Sequence, residues 1–295
     1  MTRILVTGAG GMLGRDLCDV LSTRGDLKVT ATTRADLDLT DADAVRAAVA
    51  GQDVVLNAAG WTDVDGAERD EAAATAINGD AVAHLARACA HTGARLVHVS
   101  TDYVFAGDAD TPYAEDAPTD PINAYGRSKL AGERAMVRFL PETGYVVRTA
   151  WLYGAHGRNF VTTMIGLAAT RDHLDVVDDQ QGQPTWSYAL ARHLVALADA
   201  ALAGRAPAGI YHGTCTGRTT WYGLARAAFA LAGLDPDRVR PTTSDRFPRP
   251  AARPAYSVLG HDRWAEAGLP PLPDWRDTLS DAFASPTAPA PWKVA

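Results

Sequence analysis

The sequence predicts an α/β protein built on a doubly wound parallel sheet, and three observations support this prediction. Over the first 150 residues, five short runs rich in β-branched residues alternate with longer alanine-rich segments. The short runs are continuously apolar, as expected of parallel strands that helices cover on both faces. A glycine-rich turn follows the first run directly. Beyond residue 150 the alternation loosens, which favours a smaller C-terminal α/β lobe that binds substrate.

The elements follow from this alternation in chain order. Strands of the sheet are expected at 3–8, 28–33, 53–59, 94–101 and 144–151, with helices at 12–24, 41–50, 71–92 and 124–140. The lobe should hold helices at 159–171, 187–202, 220–232 and 275–284, and strands at 174–177, 209–212 and 238–242. We therefore expect a dinucleotide-binding domain over 1–150 and a mainly substrate-binding lobe over 151–284, some of whose elements return to the first sheet. The proline- and alanine-rich residues 285–295 should form a disordered tail.

The composition limits the classes of protein that fit. Of the 295 residues, 47% are hydrophobic and 21% are charged, which is ordinary for a globular enzyme. A net charge of −7 argues against nucleic-acid binding, which needs clustered positive charge. No apolar run approaches the ~18 residues of a membrane span, and the first residues lack the apolar stretch of a signal peptide. We therefore expect a cytoplasmic protein with no membrane partner, and the separated cysteines and scattered histidines predict no metal site.

The glycine-rich turn is the first indication of a function. Gly8, Gly11 and Gly14 follow the first strand in the spacing G-x-x-G-x-x-G. At such a junction, backbone N–H groups and the dipole of the next helix can hold a pyrophosphate. A plain strand-to-helix turn is the alternative interpretation. Together with Met12 and Leu13, these glycines are predicted to contact the dinucleotide cofactor of a Rossmann-like sheet.

Two further segments are predicted to complete the cofactor site. The second strand ends in "TTRADLD", where Arg34 suits the 2′-phosphate of NADPH, whereas Asp36 and Asp38 would suit the ribose of NADH. NADPH is therefore the predicted cofactor and NADH the alternative. The stretch "NAAGW" ends the third strand at the carboxyl edge of the sheet, where cofactors lie in such folds. The residues assigned to cofactor contacts in these two segments are Arg34, Asp38, Leu39, Ala58, Ala59 and Gly60.

A tyrosine and a lysine four residues apart form the predicted catalytic pair. Tyr125 and Lys129 would share a helix face, and nine tyrosines with three lysines give only about 0.09 such pairs by chance. A nearby ammonium favours the phenolate, so Lys129 should lower the pKa of Tyr125 and make it a usable general acid. Lys129 should also bind the cofactor ribose, and Thr101, at the end of the fourth strand, can hold a substrate carbonyl. A surface pair on a helix is the alternative interpretation.

With these motifs in order, the sequence resembles the extended short-chain dehydrogenase/reductases, and within them the dTDP-4-dehydrorhamnose reductase family. The resemblance is carried by "NAAGWTDVDGAE", "STDYVFAGDADTPYAEDAPTDPINAYGRSKLAGE", "RTAWLYG", "DQQGQPTW", "TTWYGLA" and "RPAYSVLG", which span most of the chain. It implies NAD(P)H-dependent reduction of the 4-keto group of a dTDP-linked 6-deoxysugar. It also implies that Thr101, Tyr125 and Lys129 are the catalytic residues.

The resemblance assigns Thr62, Val64 and Trp151 to the cofactor and sugar pocket, and the chain departs from the family pattern in two places. Tyr188 stands where some members have a glutamate of a magnesium-bridged dimer, so neither the metal nor the dimer is implied, and we expect a monomer or a homodimer. Gly260 replaces an acid in "RPAYSVLG", as in reductases of actinomycete antibiotic-sugar pathways. The main prediction is reduction of dTDP-4-dehydro-L-rhamnose to dTDP-L-rhamnose. A dihydrostreptose-type or other antibiotic-sugar 4-ketoreductase is the alternative.

The remaining candidate substrate contacts each have a plainer interpretation. Asp102 and Tyr103 follow Thr101 directly, and Asp102 is either a turn residue or a substrate contact. Trp221 can stack on a base or sugar, or it can pack in the core. Arg253 can clamp a diphosphate or lie in solvent. Asn159 can cap a helix, contact the diphosphate, or do both.

Two other functions share parts of this pattern. A sugar-nucleotide 4,6-dehydratase has T-D-E where this chain has Thr101, Asp102 and Tyr103, so the base for C5 deprotonation would be missing. An NADP-binding regulatory subunit, such as that of methionine adenosyltransferase, keeps similar motifs without catalysis. A turnover assay on the protein alone distinguishes such a subunit from an enzyme.

Overall fold

The structure is a computed structural model that describes residues 1–292, and none of the helices among them is both long and apolar enough to cross a membrane. The strands are β1 (Thr2–Thr7), β2 (Leu27–Thr32), β3 (Val54–Asn57), β4 (Arg95–Thr101), β5 (Gly144–Thr149), β6 (Leu152–Tyr153), β7 (Leu174–Val177), β8 (Gln181–Gly182), β9 (Thr185–Trp186), β10 (Gly209–His212), β11 (Cys215–Thr216), β12 (Thr219–Thr220), β13 (Val239–Thr242) and β14 (Leu272–Asp274). The helices are α1 (Met12–Ser22), α2 (Ala42–Val49), α3 (Val64–Arg69), α4 (Glu71–Thr75), α5 (Ala81–Thr92), α6 (Ala124–Phe139), α7 (Phe160–Ala168), α8 (Ser187–Leu202), α9 (Trp221–Leu231), α10 (Arg263–Glu266) and α11 (Trp275–Ala284).

Six of the strands form one parallel sheet in the order β10-β5-β4-β3-β1-β2. The chain leaves β1 for β2 on one side and returns to β3 on the other, so the strand order reverses at β1. In open α/β sheets, ligands bind at such a switch point, beyond the carboxyl ends of the strands. The predicted doubly wound parallel sheet is confirmed, and the glycine-rich turn lies at its switch point.

Helices cover both faces of this sheet because successive strand residues point to opposite sides. Ile4 and Val6 pack on one face with residues of α1 and α8. Leu5, between them, packs on the other face with residues of α2, α5 and α6. The two layers place α1 and α6, which carry the predicted cofactor and catalytic residues, on opposite faces of the same strand ends.

The C-terminal part of the chain forms a smaller lobe of short paired strands and helices. The strands pair as β7 with β13, β8 with β12, β6 with β9 and β11 with β14. Leu174, Val176, Phe229 and Val239 build a separate hydrophobic cluster there. Two elements return to the main sheet, since β10 extends its edge beside β5 and α8 packs against α1. The division of the chain at residue 150 therefore stays a prediction.

The structure differs from the prediction within the helix expected at 71–92. The chain runs through α4, a π-helical turn at Ala76–Asp80 and then α5. This turn lies where α6 comes very close, because a Cβ on Gly132 would clash with the carbonyl oxygen of Asn78. Turns of the π type are frequent at functional sites.

The predicted disordered tail also differs from the structure. Ala290–Trp292 form a 3₁₀ turn, and the Trp292 ring is buried. The ring stacks on Phe283 with centroids 4.9 Å apart, and its indole N–H donates to Thr162 Oγ1 at 3.1 Å. Burial of a large aromatic side chain stabilises the segment that leads to it. Residues 293–295 of the predicted tail lie outside the described residues.

Candidate active site

The glycine turn brings backbone close to backbone at the start of α1. Gly8 has φ +73°, which favours glycine, and a Cβ there would lie 2.6 Å from the backbone nitrogen of Ala59. A Cβ on Gly14 would clash with the carbonyl oxygen of Gly8. Gly11 caps α1 without a side chain, so the first N–H groups of the helix can reach a ligand. The turn fits the pyrophosphate of a dinucleotide.

Met12 and Leu13, the other residues predicted to contact the cofactor at this turn, open helix α1. Leu13 is buried in the core beside the sheet, so its side chain is not the part that faces a ligand. Met12 is half-buried and lies against Gly154, where a Cβ would be 3.5 Å from its sulfur. The two residues can therefore contribute backbone N–H groups at the helix start.

The segment after β2 leaves Arg34 exposed and uses its two aspartates internally. Each aspartate accepts from a backbone N–H and a threonine hydroxyl, Asp36 at 2.9 and 2.7 Å and Asp38 at 3.0 and 2.7 Å. These hydrogen bonds lower the pKa of both carboxyls. Leu39 is half-buried, and its carbonyl oxygen lies 3.2 Å from Nδ1 of His84. Arg34 forms no ion pair within residues 1–292, so its charge is available to a ligand.

The residues that follow β3 lie between the glycine turn and the predicted catalytic lysine. Ala58 and Ala59 form the backbone against which Gly8 packs. A Cβ on Gly60 would lie 3.8 Å from Nζ of Lys129. The structure thus brings these three predicted cofactor contacts together with the turn and with the lysine.

A buried hydrogen-bonded chain leads from β1 to His98, next to Lys129, and its members were not predicted from the sequence. Asn57 Oδ1 accepts from the Thr7 hydroxyl at 2.7 Å and from the backbone N–H of Ala59 at 3.1 Å, so its amide nitrogen faces His98 Nδ1 at 2.9 Å. Burial, followed by the charge of Lys129, holds the pKa of His98 well below its ordinary value. The ring is therefore neutral with its hydrogen on Nε2. Lys129 Nζ lies 3.5 Å from Nε2 but forms no hydrogen bond with it, because both groups are donors. A histidine within an apolar strand was the available sequence signal.

Helix α6 carries Tyr125 and Lys129 to the end of β4. Gly126 allows this approach, because a Cβ there would clash with the carbonyl oxygen of Tyr103, just after the strand. Lys129 is buried, and its Nζ donates to the carbonyl oxygen of Val99 at 2.6 Å. Tyr125 is half-buried, with its ring edge-on to Tyr103 at a centroid distance of 5.8 Å. The predicted pair thus lies at the strand end that the sequence indicated.

Asn78, in the π-helical turn, ties α6 to the segment after β3 and is a second residue that sequence reasoning missed. Its Oδ1 accepts from the backbone N–H of Trp61 at 2.8 Å, and its amide donates to Ser128 Oγ at 2.9 Å. The Ser128 hydroxyl in turn donates to the carbonyl oxygen of Tyr125 at 2.7 Å. The π turn therefore anchors the part of α6 that carries the predicted catalytic tyrosine.

The electrostatics of the catalytic pair differ from the sequence prediction. Burial raises the pKa of Tyr125 to about 12, while the Thr101 hydroxyl lowers it and the Asp102 carboxylate raises it further. Burial lowers the pKa of Lys129 to about 8 against the opposing charge of Glu133. The prediction that the pKa of Tyr125 is lowered is wrong here, because lost hydration outweighs the other influences. Tyr125 therefore keeps its proton at neutral pH.

Thr101 and Asp102 form one hydrogen-bonded unit at the end of β4. Thr101 Oγ1 accepts from the N–H of Tyr103 at 3.2 Å, and the Thr101 hydroxyl donates to Asp102 Oδ1 at 3.0 Å. Both side chains are buried, and Asp102 Oδ2 has no hydrogen-bond partner in the part of the chain that the structure describes. Burial raises the pKa of Asp102 to about 6, although the hydroxyls of Ser257 and Thr101 favour its ionised form. Asp102 is therefore buried against Thr101, and whether it contacts the substrate stays a prediction.

Trp151 and Trp221 stack face to face where the sheet meets the lobe. Their ring centroids are 3.6 Å apart and their planes differ by 9°. Among the described residues, Trp151 is the only non-glycine residue with a positive φ, +47°. A Cβ on Gly182 would clash with the Trp151 indole. The indole N–H of Trp221 donates to Gln180 Oε1 at 3.1 Å. Strain of this kind is typical of functional sites, and Trp221 serves as the stacking partner of Trp151.

Arg253 links the lobe to α3 and does not lie free in solvent. Its guanidinium pairs with Asp65 at 3.1 Å. Val64 is the first residue of α3, and the exposed Thr62 precedes it. Burial raises the pKa of Tyr103, and Arg253 is close enough to oppose that shift. The ion pair thus brings Arg253 to the start of α3, beside Val64 and near Tyr103.

Asn159 is an N-cap in this structure. Its Oδ1 accepts from the backbone N–H of Thr162 at 3.0 Å at the start of α7. Its amide donates to the carbonyl oxygen of Gly154 at 2.9 Å. Because both polar atoms bond to backbone, the structure supports the capping interpretation and offers nothing for a diphosphate contact.

One group of side chains between α1 and α8 has the spacing of metal ligands. Among residues 1–292, the potential ligand atoms of Asp16, Asp19 and His156 lie within 4.8 Å of one another. Asp16 is buried and accepts from the Ser187 hydroxyl at 2.5 Å. Tyr188 follows Ser187 in α8. These residues were not predicted from the sequence, and the independence of a metal stays a prediction.

The chain is similar to known proteins over nearly its whole length. Residues 1–287 match the family model described as RmlD substrate binding domain. The chain is 58% identical over 283 residues, 95% of this chain and 93% of the relative, to a Streptomyces griseus protein named dTDP-4-dehydrorhamnose reductase. It is 51% identical over 283 residues, 95% and 96% of the two chains, to a Streptomyces niveus protein named dTDP-4-keto-6-deoxy-D-glucose reductase.

A solved structure extends the likeness to three dimensions. A Bacillus anthracis dTDP-4-dehydrorhamnose reductase, determined in complex with NADP, matches with a TM-score of 0.91 at 35% identity. The match covers 96% of this chain and 99% of that one. The chain therefore belongs to the RmlD substrate-binding domain family, the family of dTDP-4-dehydrorhamnose reductases that its motifs indicated.

Proposed function

We propose that the protein is an NAD(P)H-dependent oxidoreductase that reduces the 4-keto group of a dTDP-linked 6-deoxysugar. Its main candidate substrate is dTDP-4-dehydro-L-rhamnose, which would become dTDP-L-rhamnose. The observation that carries the proposal is the position of Thr101, Tyr125 and Lys129 at the end of β4, beside a glycine turn that fits a dinucleotide. The relative at 58% identity carries the name of this activity.

Each of these residues has a defined task in the reaction. A bound nicotinamide supplies the hydride that reduces the ketone carbon. Tyr125, whose raised pKa keeps its phenol protonated, gives a proton to the ketone oxygen. Thr101 donates a hydrogen bond to the same oxygen and stabilises the negative charge that develops there. Lys129, held at the carbonyl oxygen of Val99, is placed to donate to a ribose hydroxyl and to fix the cofactor beside the tyrosine.

NADPH is the proposed cofactor and NADH the alternative. Arg34 is exposed at the end of β2, where a 2′-phosphate would lie. Asp36 and Asp38 already accept two hydrogen bonds each, so they are less ready to accept from a ribose hydroxyl. The solved Bacillus anthracis relative was determined with NADP.

A dihydrostreptose-type or other antibiotic-sugar 4-ketoreductase is the second candidate. It is favoured by the relative at 51% identity, which is named for a different keto sugar. Gly260 also departs from the acidic residue of the family pattern. Its N–H donates to the carbonyl oxygen of Tyr113 at 2.7 Å, and a Cβ there would lie 3.2 Å from the same oxygen. A larger residue would therefore crowd this loop.

A substrate panel tests the proposal. Purified protein is mixed with NADPH and a series of dTDP-4-keto-6-deoxysugars, NADPH oxidation is followed by absorbance, and each product is identified by NMR. The main candidate requires the highest kcat/KM with dTDP-4-dehydro-L-rhamnose, whereas a higher value with another sugar selects the second candidate. Absence of turnover with every sugar, while NADPH still binds, would contradict the proposal and favour a non-catalytic regulatory subunit.

A further inference from the structure

The hydroxyl of Thr101 has one hydrogen, and its direction decides what the residue can do. In the structure this hydrogen points to Asp102 Oδ1, 3.0 Å from the Thr101 oxygen. The N–H of Tyr103 already donates to that oxygen at 3.2 Å, and the Tyr125 phenol, which keeps its own proton, is also close to it. A hydroxyl whose hydrogen is committed can only accept from a further ligand. While Asp102 is ionised, Thr101 therefore cannot donate to a ketone oxygen.

We infer that Asp102 is a positioning residue: in its protonated form it donates to Thr101 Oγ1 and so turns the Thr101 hydrogen toward the ketone oxygen of the substrate. This role rests on the proposed reductase function, in which the Thr101 hydroxyl donates to the ketone oxygen, and Asp102 sets the direction of that hydrogen bond. Loss of the proton from Asp102 reverses that bond and converts Thr101 from a donor into an acceptor.

The environment of Asp102 makes its proton harder to lose than that of an exposed aspartic acid. The side chain is 3% exposed, and one carboxyl oxygen is bonded to Thr101 while the other has no hydrogen-bond partner within residues 1–292. The Ser257 hydroxyl is near enough to favour the ionised form but only partly offsets the effect of burial. Burying an ionised carboxylate with an unpaired oxygen is costly, whereas the neutral acid leaves only an acceptor unsatisfied. In agreement, burial raises the pKa of Asp102 to about 6.

Among residues 1–292, no unbalanced cation is close enough to Asp102 to cancel this shift. The groups that act on Asp102 or on its neighbour Tyr103 are Tyr125 from α6, the Ser257 hydroxyl, Arg253 and Asp65. Arg253 is paired with Asp65 at 3.1 Å, so its charge is largely balanced. The phenols carry no charge at neutral pH because burial raises the pKa of both tyrosines.

A pH dependence follows from this arrangement. Below about pH 6 the free protein holds the proton on Asp102, Thr101 can donate, and kcat/KM should lie on its upper plateau. Above that pH Thr101 turns to Asp102, and kcat/KM should fall to a lower plateau on which Tyr125 acts alone. One donor to a developing oxyanion contributes about 10²-fold, which sets the size of the step. Bound substrate excludes more water, so the step in kcat should lie at higher pH.

The test compares pH profiles of kcat/KM for the wild type, Asp102→Asn, Thr101→Val and Glu115→Gln. The introduced amide does not titrate, so Asp102→Asn should lose the step, and Thr101→Val should remain flat at the lower plateau. Glu115 is the matched control. Burial also raises its pKa, but its carboxyl accepts from the backbone N–H of Arg263 at 3.1 Å, so Glu115→Gln should keep the step.

Distinct outcomes separate this inference from the proposed function. A step that persists in Asp102→Asn, or a uniform loss of activity with the profile unchanged, would overturn the positioning role. If Asp102→Asn does not fold, Thr101→Val decides, because a wild-type profile in that variant also overturns the inference. A wild type without reductase activity at any pH would instead refute the proposed function.

Discussion

Lys129 is held in a position that costs stability. Burial lowers its pKa from 10.5 to about 8. Between these pH values the unfolded chain binds a proton that the folded chain lacks, so the free energy of unfolding rises with pH in this window. Below about pH 8 the cost of the buried ammonium is fully present. A neutral side chain of similar length would avoid that cost but would lack the ammonium that we propose binds the cofactor ribose.

We expect Lys129→Met to abolish reduction and to raise the free energy of unfolding at pH 7. The shift corresponds to about 3 kcal/mol at most, and the lost hydrogen bond to Val99 would offset about 1 kcal/mol of it. The gain should shrink toward pH 10.5. Urea unfolding of both proteins at pH 7 and pH 10 measures the effect. A variant less stable than the wild type at pH 7 would show that the contacts of Lys129 outweigh its burial.

Arg34 is the side chain expected to make the protein bind NADPH more tightly than NADH. Arg34→Ala should raise the dissociation constant for NADPH about 10–10²-fold, the value of a charged hydrogen-bonded contact, and leave that for NADH nearly unchanged. Fluorescence titration with both cofactors measures this. Arg46→Ala is the matched control, since Arg46 is also exposed but pairs with Asp43 on α2. Equal weakening of both cofactors by Arg34→Ala would mean that Arg34 does not read the 2′-phosphate.

At the scale of elements, a buried ion pair fixes α6 against the sheet behind the site. Arg148, on β5, pairs with Glu133 of α6 at 2.7 Å, and the Ser100 hydroxyl of β4 donates to the same carboxylate at 2.6 Å. The two charged side chains are 2% and 3% exposed. Glu133 lies one turn beyond Lys129, so this pair sets where the helix holds Tyr125 and Lys129, the proposed catalytic residues, relative to the strand ends.

Removing one partner of that pair should be far more damaging than removing one partner of an exposed pair. Glu133→Gln leaves Arg148 buried without its charge partner, so we expect a loss of about 3–5 kcal/mol in the free energy of unfolding. Glu71→Gln is the control, because Glu71 also pairs with an arginine of α6 at 2.7 Å but is exposed, and it should cost about 1 kcal/mol or less. Similar losses in urea unfolding would contradict the role given to burial.

The elements were predictable to different degrees, for physical reasons. The strands, the glycine turn and the Tyr125–Lys129 spacing follow from local periodicity, which a single sequence displays. Strand β10 was predicted at its residues, but its pairing with β5 joins distant segments and is not encoded locally. The π turn arises because Asn78 bonds to Trp61 and Ser128, which no periodicity reports.

In the candidate site, too, local motifs were predictable and contacts between distant segments were not. Its catalytic residues occur as motifs, whereas the chain from Asn57 to His98 and the pairing of Arg148 with Glu133 require neighbouring strands and α6 to be assembled first. The direction of the pKa shift at Tyr125 could not be predicted from the motif either. It depends on burial, and spacing along a helix says only which side chains are neighbours.

At the scale of the whole molecule, the two halves of the chain share a hydrophobic core. Leu17 and Leu21 of α1 pack in one cluster with Leu190 and Leu194 of α8, and β10 completes the edge of the sheet. A fragment of residues 1–150 would expose that face of α1 to water.

We therefore expect the fragment 1–150 to lack a cooperative unfolding transition, whereas the full chain unfolds in one main step. Circular dichroism during urea unfolding measures both. A fragment with native-like ellipticity and a sharp transition would show that the first 150 residues fold as an independent domain.

The central claim is that Tyr125 delivers the proton to the ketone oxygen, and the kcat of Tyr125→Phe tests it most directly. The substitution removes one hydroxyl from a ring that stays in place, so kcat with dTDP-4-dehydro-L-rhamnose should fall about 10²–10⁴-fold while NADPH binding is nearly unchanged. Tyr145→Phe, which removes a hydroxyl bonded to the carbonyl oxygen of Ala206 away from the site, should keep its activity. Turnover by Tyr125→Phe close to that of the wild type would contradict the account.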